Sequence, residues 1–179
     1  MKNIVITGVS TGIGYALAAT LLQRGDYRVF GSVRTQADAD RLRADFGDGF
    51  IPLLFDVTDD EKMKTAVLHI KQTIGDDNLY ALVNNAGIQH VSPIETFPIE
   101  KWDQIIAINL SSAFHAIRAA VPGMKARKFG RIVNMSSVAG LNGTGGGAAY
   151  IAAKHGVVGL TRQMAVAYAS RGITVNCVC

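Results

Sequence analysis

The stretch Thr7-Gly8-Val9-Ser10-Thr11-Gly12-Ile13-Gly14 lies between a short apolar run over 3–7 and an amphipathic stretch that opens near residue 12. A strand that feeds a glycine loop and then a helix is the opening unit of a parallel α/β sheet. Glycines at Gly8, Gly12 and Gly14 permit a tight turn and a close approach of the main chain to a ligand. The helix that follows brings unpaired N–H groups and the positive end of its dipole to the same point, which suits a pyrophosphate. The spacing differs from the common G-x-G-x-x-G fingerprint, and a glycine triplet by itself also makes ordinary turns. The position between first strand and first helix is what favours a dinucleotide.

Outward from this loop, β-branched runs alternate with longer amphipathic stretches. Strands are expected over 3–7, 28–33, 51–55, 79–84, 130–135 and 173–178, and helices over about 12–24, 36–46, 59–74, 99–127 and 148–171. The strands are apolar on both faces, as parallel strands covered by helices are. Six such units predict a doubly wound, Rossmann-like parallel sheet. No linker or repeat divides the chain, and the glycine-rich 142–147 reads as a loop, so residues 1–179 are expected to form one domain.

Of 179 residues, 49% are hydrophobic and 18% charged, which is enough apolar matter for a sizeable core and argues against disorder. The net charge of +4 is spread along the chain. The nearest basic cluster, Lys125, Arg127, Lys128 and Arg131, reads as a solvated helix end without the aromatic interleaving of a nucleic-acid surface. No apolar stretch is expected to cross a bilayer, and no signal peptide precedes the first strand. The two cysteines, Cys177 and Cys179, are poorly placed to bridge each other, which favours a reducing cytoplasm. No metal site is read from the sequence.

Thr-Gly-x-x-x-Gly-Ile-Gly at 7–14 resembles the cofactor motif of the short-chain dehydrogenase/reductase family. Four further matches follow in the family's order: Asp56-Val57, Asn84-Asn85-Ala86-Gly87, Asn109, and Ser137 thirteen residues before the Tyr150-x-x-x-Lys154 pair. The resemblance covers nearly the whole chain. It implies a nicotinamide dinucleotide held by Gly8, Ser10, Thr11, Gly12, Ile13, Gly14, Arg34, Asp56, Val57, Asn84, Ala86, Gly87, Tyr150 and Lys154, with Asp56 beside the adenine. It also implies a catalytic set of Asn109, Ser137, Tyr150 and Lys154. Lys154 would contact the nicotinamide ribose, and Asn109 would serve a water that relays protons to Lys154.

The residue types suit hydride transfer at a carbonyl. Tyr150 and Lys154, four apart, share a helix face. A tyrosine phenol, with a pKa of about 10, is a poor base near neutrality, and a neighbouring ammonium favours its phenolate. Ser137 can hydrogen-bond a substrate oxygen. Each residue alone has a plainer use. Tyr150 could pack, Lys154 could extend to solvent, Asn109 could bond its own helix, and Ser137 could cap one. Asp56 has a capping alternative because Thr58 and Asp59 look like a helix start, and Asn84 could brace strands.

An acid at the end of the second strand would favour NAD, but Val33 and Arg34 stand there and the next carboxylate is Asp38. Arg34 could pair with a 2′-phosphate, so NADP is favoured, with NAD possible given Ser10 and Thr11 in the glycine loop. The middle of the chain resembles the 3-hydroxybutyrate dehydrogenases of the family, in which Gln89 would touch the substrate together with Ser137 and Tyr150. Two carboxylate donors of that subgroup are replaced by Ala139 and Gly147. A small-molecule secondary alcohol or ketone is therefore the general substrate expected, with no nucleic-acid or membrane partner.

The sequence stops on its sixth strand, where the family continues to a substrate-covering segment and a seventh, and further sequence past Cys179 is expected. A dinucleotide binder without turnover is the second reading. The stretch 148–160, smooth at Ala149, Ala152, Ala153, Gly156 and Gly159 and apolar at Val157, Val158 and Leu160, predicts a helix–helix interface. Ile105, Ile106, Phe114 and Ile117 would add to it in a homodimer or homotetramer, as the resemblance also implies.

Overall fold

The computed structural model describes residues 1–75 and 77–179. Strands and helices alternate as β1 (Lys2–Ile6), α1 (Gly12–Gln23), β2 (Tyr27–Val33), α2 (Gln36–Phe46), β3 (Phe50–Leu54), α3 (Asp60–Ile74), β4 (Leu79–Asn84), α4 (Ile99–Ile106), α5 (Ser112–Ala126), β5 (Gly130–Met135), α6 (Ala148–Tyr168) and β6 (Ile173–Val178). Every pairing is parallel, in the order β3-β2-β1-β4-β5-β6. This is the doubly wound sheet that the alternation predicts. Its winding reverses between β1 and β4, which opens a crevice beyond their C-terminal ends.

Both faces of the central strands are dry. In β1, Ile4 and Ile6 join Val9, Ala18, Val29 and Leu42 under α1 and α2. The intervening Val5 joins Phe30, Leu82, Ile117 and Ile132 under α3, α5 and α6. The side-chain alternation of a strand thus feeds two cores at once. Each fully buried aliphatic or aromatic side chain contributes about 1.5–3 kcal/mol.

The helix starts differ in a way that matters for function. The Thr35 hydroxyl caps α2 by accepting from the Asp38 N–H at 3.1 Å, and the Asp59 carboxylate caps α3 by accepting from the Lys62 N–H at 3.0 Å. α1 has no side-chain cap and no acid in its first turn. Its N–H groups are left for something else.

Three expectations need correction. α4 and α5 run on through a π turn at Ala107–Ser111. The resulting 28-residue helix, Ile99–Ala126, is long and apolar enough to cross a membrane by length and composition, contrary to the sequence reading. Here its apolar side lies in the protein's own core, with Ile105, Ile117 and Met124 buried. Arg127 is not a solvated helix end: it turns inward and donates from Nη2 to the Leu79 carbonyl. Part of the smooth side of α6 is spent within the protomer, where Ala149 and Ala153 pack on Ile105 and Gly156 leaves room for Leu110, while Ala152 and Gly159 stay exposed. Ile105, Ile117, Val157 and Val158 are likewise buried in their own chain, whereas Ile106 is partly buried and Phe114 is 49% exposed.

Candidate active site

The glycine loop closes the crevice at the end of β1. Gly8 and Gly12 have φ of 70° and 60°, the left-handed region that glycine enters freely. Gly14 is required by contact, since a Cβ there would lie 2.2 Å from the Gly8 carbonyl oxygen. Side chains hold the loop from two sides. The Ser32 hydroxyl accepts from the Gly8 N–H at 2.8 Å. The Asn85 amide donates to the carbonyls of Thr7 and Gly8 at 2.9 and 2.8 Å, and the Thr7 hydroxyl accepts from the N–H groups of Asn85 and Ala86.

The cleft so formed has a volume of about 320 Å³. Of the residues expected to hold the cofactor, Gly8, Ser10, Thr11, Ile13, Arg34, Asp56, Val57, Ala86 and Gly87 line it. Gly12 and Gly14 shape the loop and do not line the cleft. Asn84 does not line the cleft and takes the bracing alternative. Its side chain is buried and donates to Asn134 Oδ1 at 2.8 Å, in a chain that continues from Asn134 to Thr161, so it braces β4, β5 and α6. The neighbouring Asn85 faces the cleft instead.

Charge at the far end of the cleft is arranged around Arg34. Burial works to raise the Asp56 carboxyl, but the N–H and hydroxyl of Thr58, with Arg34 nearby, outweigh it and hold it below the usual carboxylate range. Both Thr58 groups donate to Asp56 Oδ1, so Asp56 closes a local turn while lining the cleft, and the cap of α3 belongs to Asp59. Asp38 is occupied. Arg41 donates to it at 3.0 Å and, with Thr35, holds its carboxyl below the usual range. Arg41 also donates to the Ser10 carbonyl at 2.7 Å, which ties α2 to the glycine loop.

The cleft meets the predicted catalytic set at Gly87. A Cβ built there would lie 3.5 Å from Asn109 Oδ1 and 3.7 Å from Lys154 Nζ. Asn109 sits in the π turn, and its amide bonds Ile88 at both ends: Oδ1 accepts from the N–H and Nδ2 donates to the carbonyl, each at 2.8 Å. One lone pair of Oδ1 and one proton of Nδ2 remain for other work. Tyr150 and Lys154 lie one turn apart on α6, with Lys154 Nζ 5.5 Å from the Tyr150 ring centre.

Lys154 is 5% exposed. Burial draws its ammonium pKa below the ordinary lysine value, and Cys177, near the end of β6, acts weakly in the opposite direction. The Ser136 hydroxyl donates to the Lys154 carbonyl at 3.0 Å, so the end of β5 is fastened to α6. Ser137 follows in extended backbone, and its Oγ accepts from the Ala139 N–H at 3.2 Å. Its hydroxyl proton stays available to donate.

On the substrate side, Gln89 donates from Nε2 to the Gly145 carbonyl at 3.5 Å and borders Gly146, which in turn lies against the Tyr150 ring. The two replaced carboxylate donors have a steric reason. A Cβ at Gly147 would lie 2.2 Å from the His90 carbonyl oxygen, and Ala139 is 1% exposed, so neither position has room for a long polar side chain.

Sequence reasoning missed Ser32, Thr7, Asn85 and Arg41. Thr7 and Asn85 stood inside the quoted motifs without a role. Ser32 and Arg41 carried no signal, because a serine in a strand and an arginine on a helix read as packing and solvation.

The short chain dehydrogenase family profile matches residues 2–179. A D-beta-hydroxybutyrate dehydrogenase of Rhizobium meliloti is 42% identical over 187 residues, covering 99% of this chain and 70% of its own. A 3-oxoacyl-(acyl-carrier-protein) reductase of Haemophilus influenzae is 39% identical, with 99% and 72% covered. A solved short-chain dehydrogenase from Streptomyces avermitilis superposes with a TM-score of 0.90 at 29% identity, over 98% of this chain. The chain spans 64% of that solved chain.

Proposed function

The chain belongs to the short-chain dehydrogenase family, whose members are NAD(P)-dependent oxidoreductases acting on CH–OH groups, and from that premise we propose that it interconverts a secondary alcohol and a ketone at Tyr150. The observation that carries this reading is the meeting of cleft and catalytic set at Gly87, where a built Cβ would touch both Asn109 and Lys154. The cleft suits a dinucleotide: the uncapped N–H groups of α1 are free to receive a phosphate, and Arg34 adds a cation at the other end.

When bound, the nicotinamide supplies or accepts the hydride. The Tyr150 hydroxyl gives or takes the proton at the substrate oxygen. Ser137 donates a hydrogen bond to that oxygen and holds it near the phenol. Lys154 favours the phenolate through its charge and would help to hold the cofactor's ribose, and Asn109 braces the turn at Ile88. Gln89 borders the substrate space. The crowded Gly147 and buried Ala139 favour a substrate without a carboxylate at that point.

NADP is the preferred cofactor on this reading, because Arg34 lines the cleft and the nearest acid on α2, Asp38, is already engaged by Arg41. Residues 1–179 form one dinucleotide-binding domain. Its copies pair through the groove between α5 and α6, where Phe114 is half exposed and Leu160, Met164 and Tyr168 line an apolar floor. Two free cysteines fit a cytoplasmic protein.

A nicotinamide absorbance assay against a panel of ketones, run beside a cofactor titration, tests the reading. Turnover with at least one ketone is expected. Cofactor binding with no turnover across the panel supports the second reading, a dinucleotide binder.

A further inference from the structure

A second cavity, of about 360 Å³, lies between α3 and α5 on the sheet face opposite α1 and α2. It shares only Phe55 with the dinucleotide cleft, and none of Asn109, Ser137, Tyr150 or Lys154 lines it. It exists because the facing side chains are small. α5 presents Ala116, Ala119, Ala120 and Gly123 to the gap, and Ala66 faces them from α3. The space opens to solvent on one side and has an apolar floor. Its volume falls at the lower end of ligand pockets, about 300–1,000 Å³.

The chemistry of the cavity is uneven. Its length is apolar, with Phe55, Met63, Ile70 and Leu82 among the walls. Its end near the start of β4 is cationic, with Arg127 and Lys71. Arg127 is fixed there by its bond from Nη2 to the Leu79 carbonyl. Its Nε is buried and finds no acceptor among the described residues, and burial draws the pKa of the guanidinium down. A guanidinium that lines an apolar space favours an anion beside it, and a carboxylate supplies one at a single negative charge. Asp77 lies at the same end and opposes a dianion such as a phosphate monoester. Apolar walls exclude a sugar or a nucleotide.

We propose that this cavity is a binding site for a monocarboxylate with a single apolar chain of medium length, its carboxylate at Arg127 and its chain directed toward Phe55. The site is independent of the dehydrogenase reading, because it uses none of the residues assigned to cofactor or catalysis.

The test is a calorimetric titration of the whole chain with decanoate and with decanol, each with and without saturating NADP. Decanoate should bind saturably, with an affinity the cofactor does not compete away, and decanol should bind at least about tenfold more weakly. Arg127→Met should weaken decanoate by about tenfold or more and leave decanol unchanged. Ala120→Leu, which keeps Arg127 and fills the gap, should abolish both while cofactor affinity is retained. Should Arg127→Met fail to fold, the filled variant and the decanoate–decanol comparison decide. Absent saturable binding to the wild type, competition by NADP, or undiminished binding in Ala120→Leu would each overturn the proposal.

Discussion

Lys154 donates from Nζ to the main-chain carbonyl of Met135 at 2.6 Å, so a helix ammonium is drawn onto the last residue of β5. That contact holds the charge beside Gly87 and Tyr150, in a place where burial disfavours it. With the folded pKa below the unfolded one, the unfolded chain binds more protons between the two values. The cost of Lys154 is therefore full below the folded pKa and is relieved as pH rises through it toward the ordinary lysine value. Lys154→Met should abolish turnover, and its stability relative to wild type should be greatest at low pH and decline as pH rises toward the ordinary lysine value. Denaturant melts at several pH values check this. A stability difference between variant and wild type that does not change with pH would sink it.

Tyr150→Phe leaves the ring against Gly146 and takes away only the hydroxyl. Turnover should fall by roughly 10²–10⁴-fold, the usual weight of a general acid or base. Cofactor affinity should stay within about twofold, since no anion contact is lost. Retained turnover would remove Tyr150 from the chemistry.

Gly14→Ala places a methyl group 2.2 Å from the Gly8 carbonyl oxygen and 2.6 Å from the Asn85 amide nitrogen. The loop must open to admit it. We expect a loss of about 1–3 kcal/mol in stability and a parallel loss of dinucleotide affinity. Unfolding curves and a cofactor titration measure both, and an unaltered affinity would mean that the loop does not hold the pyrophosphate.

Arg34→Asp inverts the charge at the distal end of the cleft. The ratio of the NADP and NAD dissociation constants should move toward NAD by roughly 10–100-fold, the worth of one charge-assisted hydrogen bond. An unmoved ratio would leave Arg34 as a surface charge and turn attention to Arg41, which already reaches Ser10.

Association is best probed at Phe114, since Val158 is only 7% exposed and a charge there would damage the protomer itself. Phe114→Glu should convert a dimer or tetramer into monomers at tens of micromolar by light scattering. Assemblies that persist would place the interface away from the α5–α6 groove.

The parallel sheet, the glycine loop and the shared face of Tyr150 and Lys154 were legible because each rests on local pattern: runs apolar on both faces, glycines at a strand–helix junction, and an i,i+4 spacing. What was not legible depends on tertiary reach. Arg127 reads as solvated from its basic neighbours, yet the turn after α5 aims it at Leu79. Asn84 and Asn85 are adjacent and identical in type. Only the pleat decides that the first braces the sheet and the second holds the glycine loop. The small residues of α6 promise a close helix contact, and α4 of the same chain takes part of that contact before any second subunit can.

A π turn contains one residue more than the α turn it replaces, and at Ala107–Ser111 that surplus carries Asn109 to Ile88. The flanking turns keep Ile105 and Ile117 in the core on either side. Loss of a single codon there would restore an uninterrupted α ladder, spare the core contacts of the helix and withdraw the asparagine. Reading-frame-preserving deletion at this point would thus yield a folded chain with an impaired site, so packing and chemistry in this helix are separable by one residue of length.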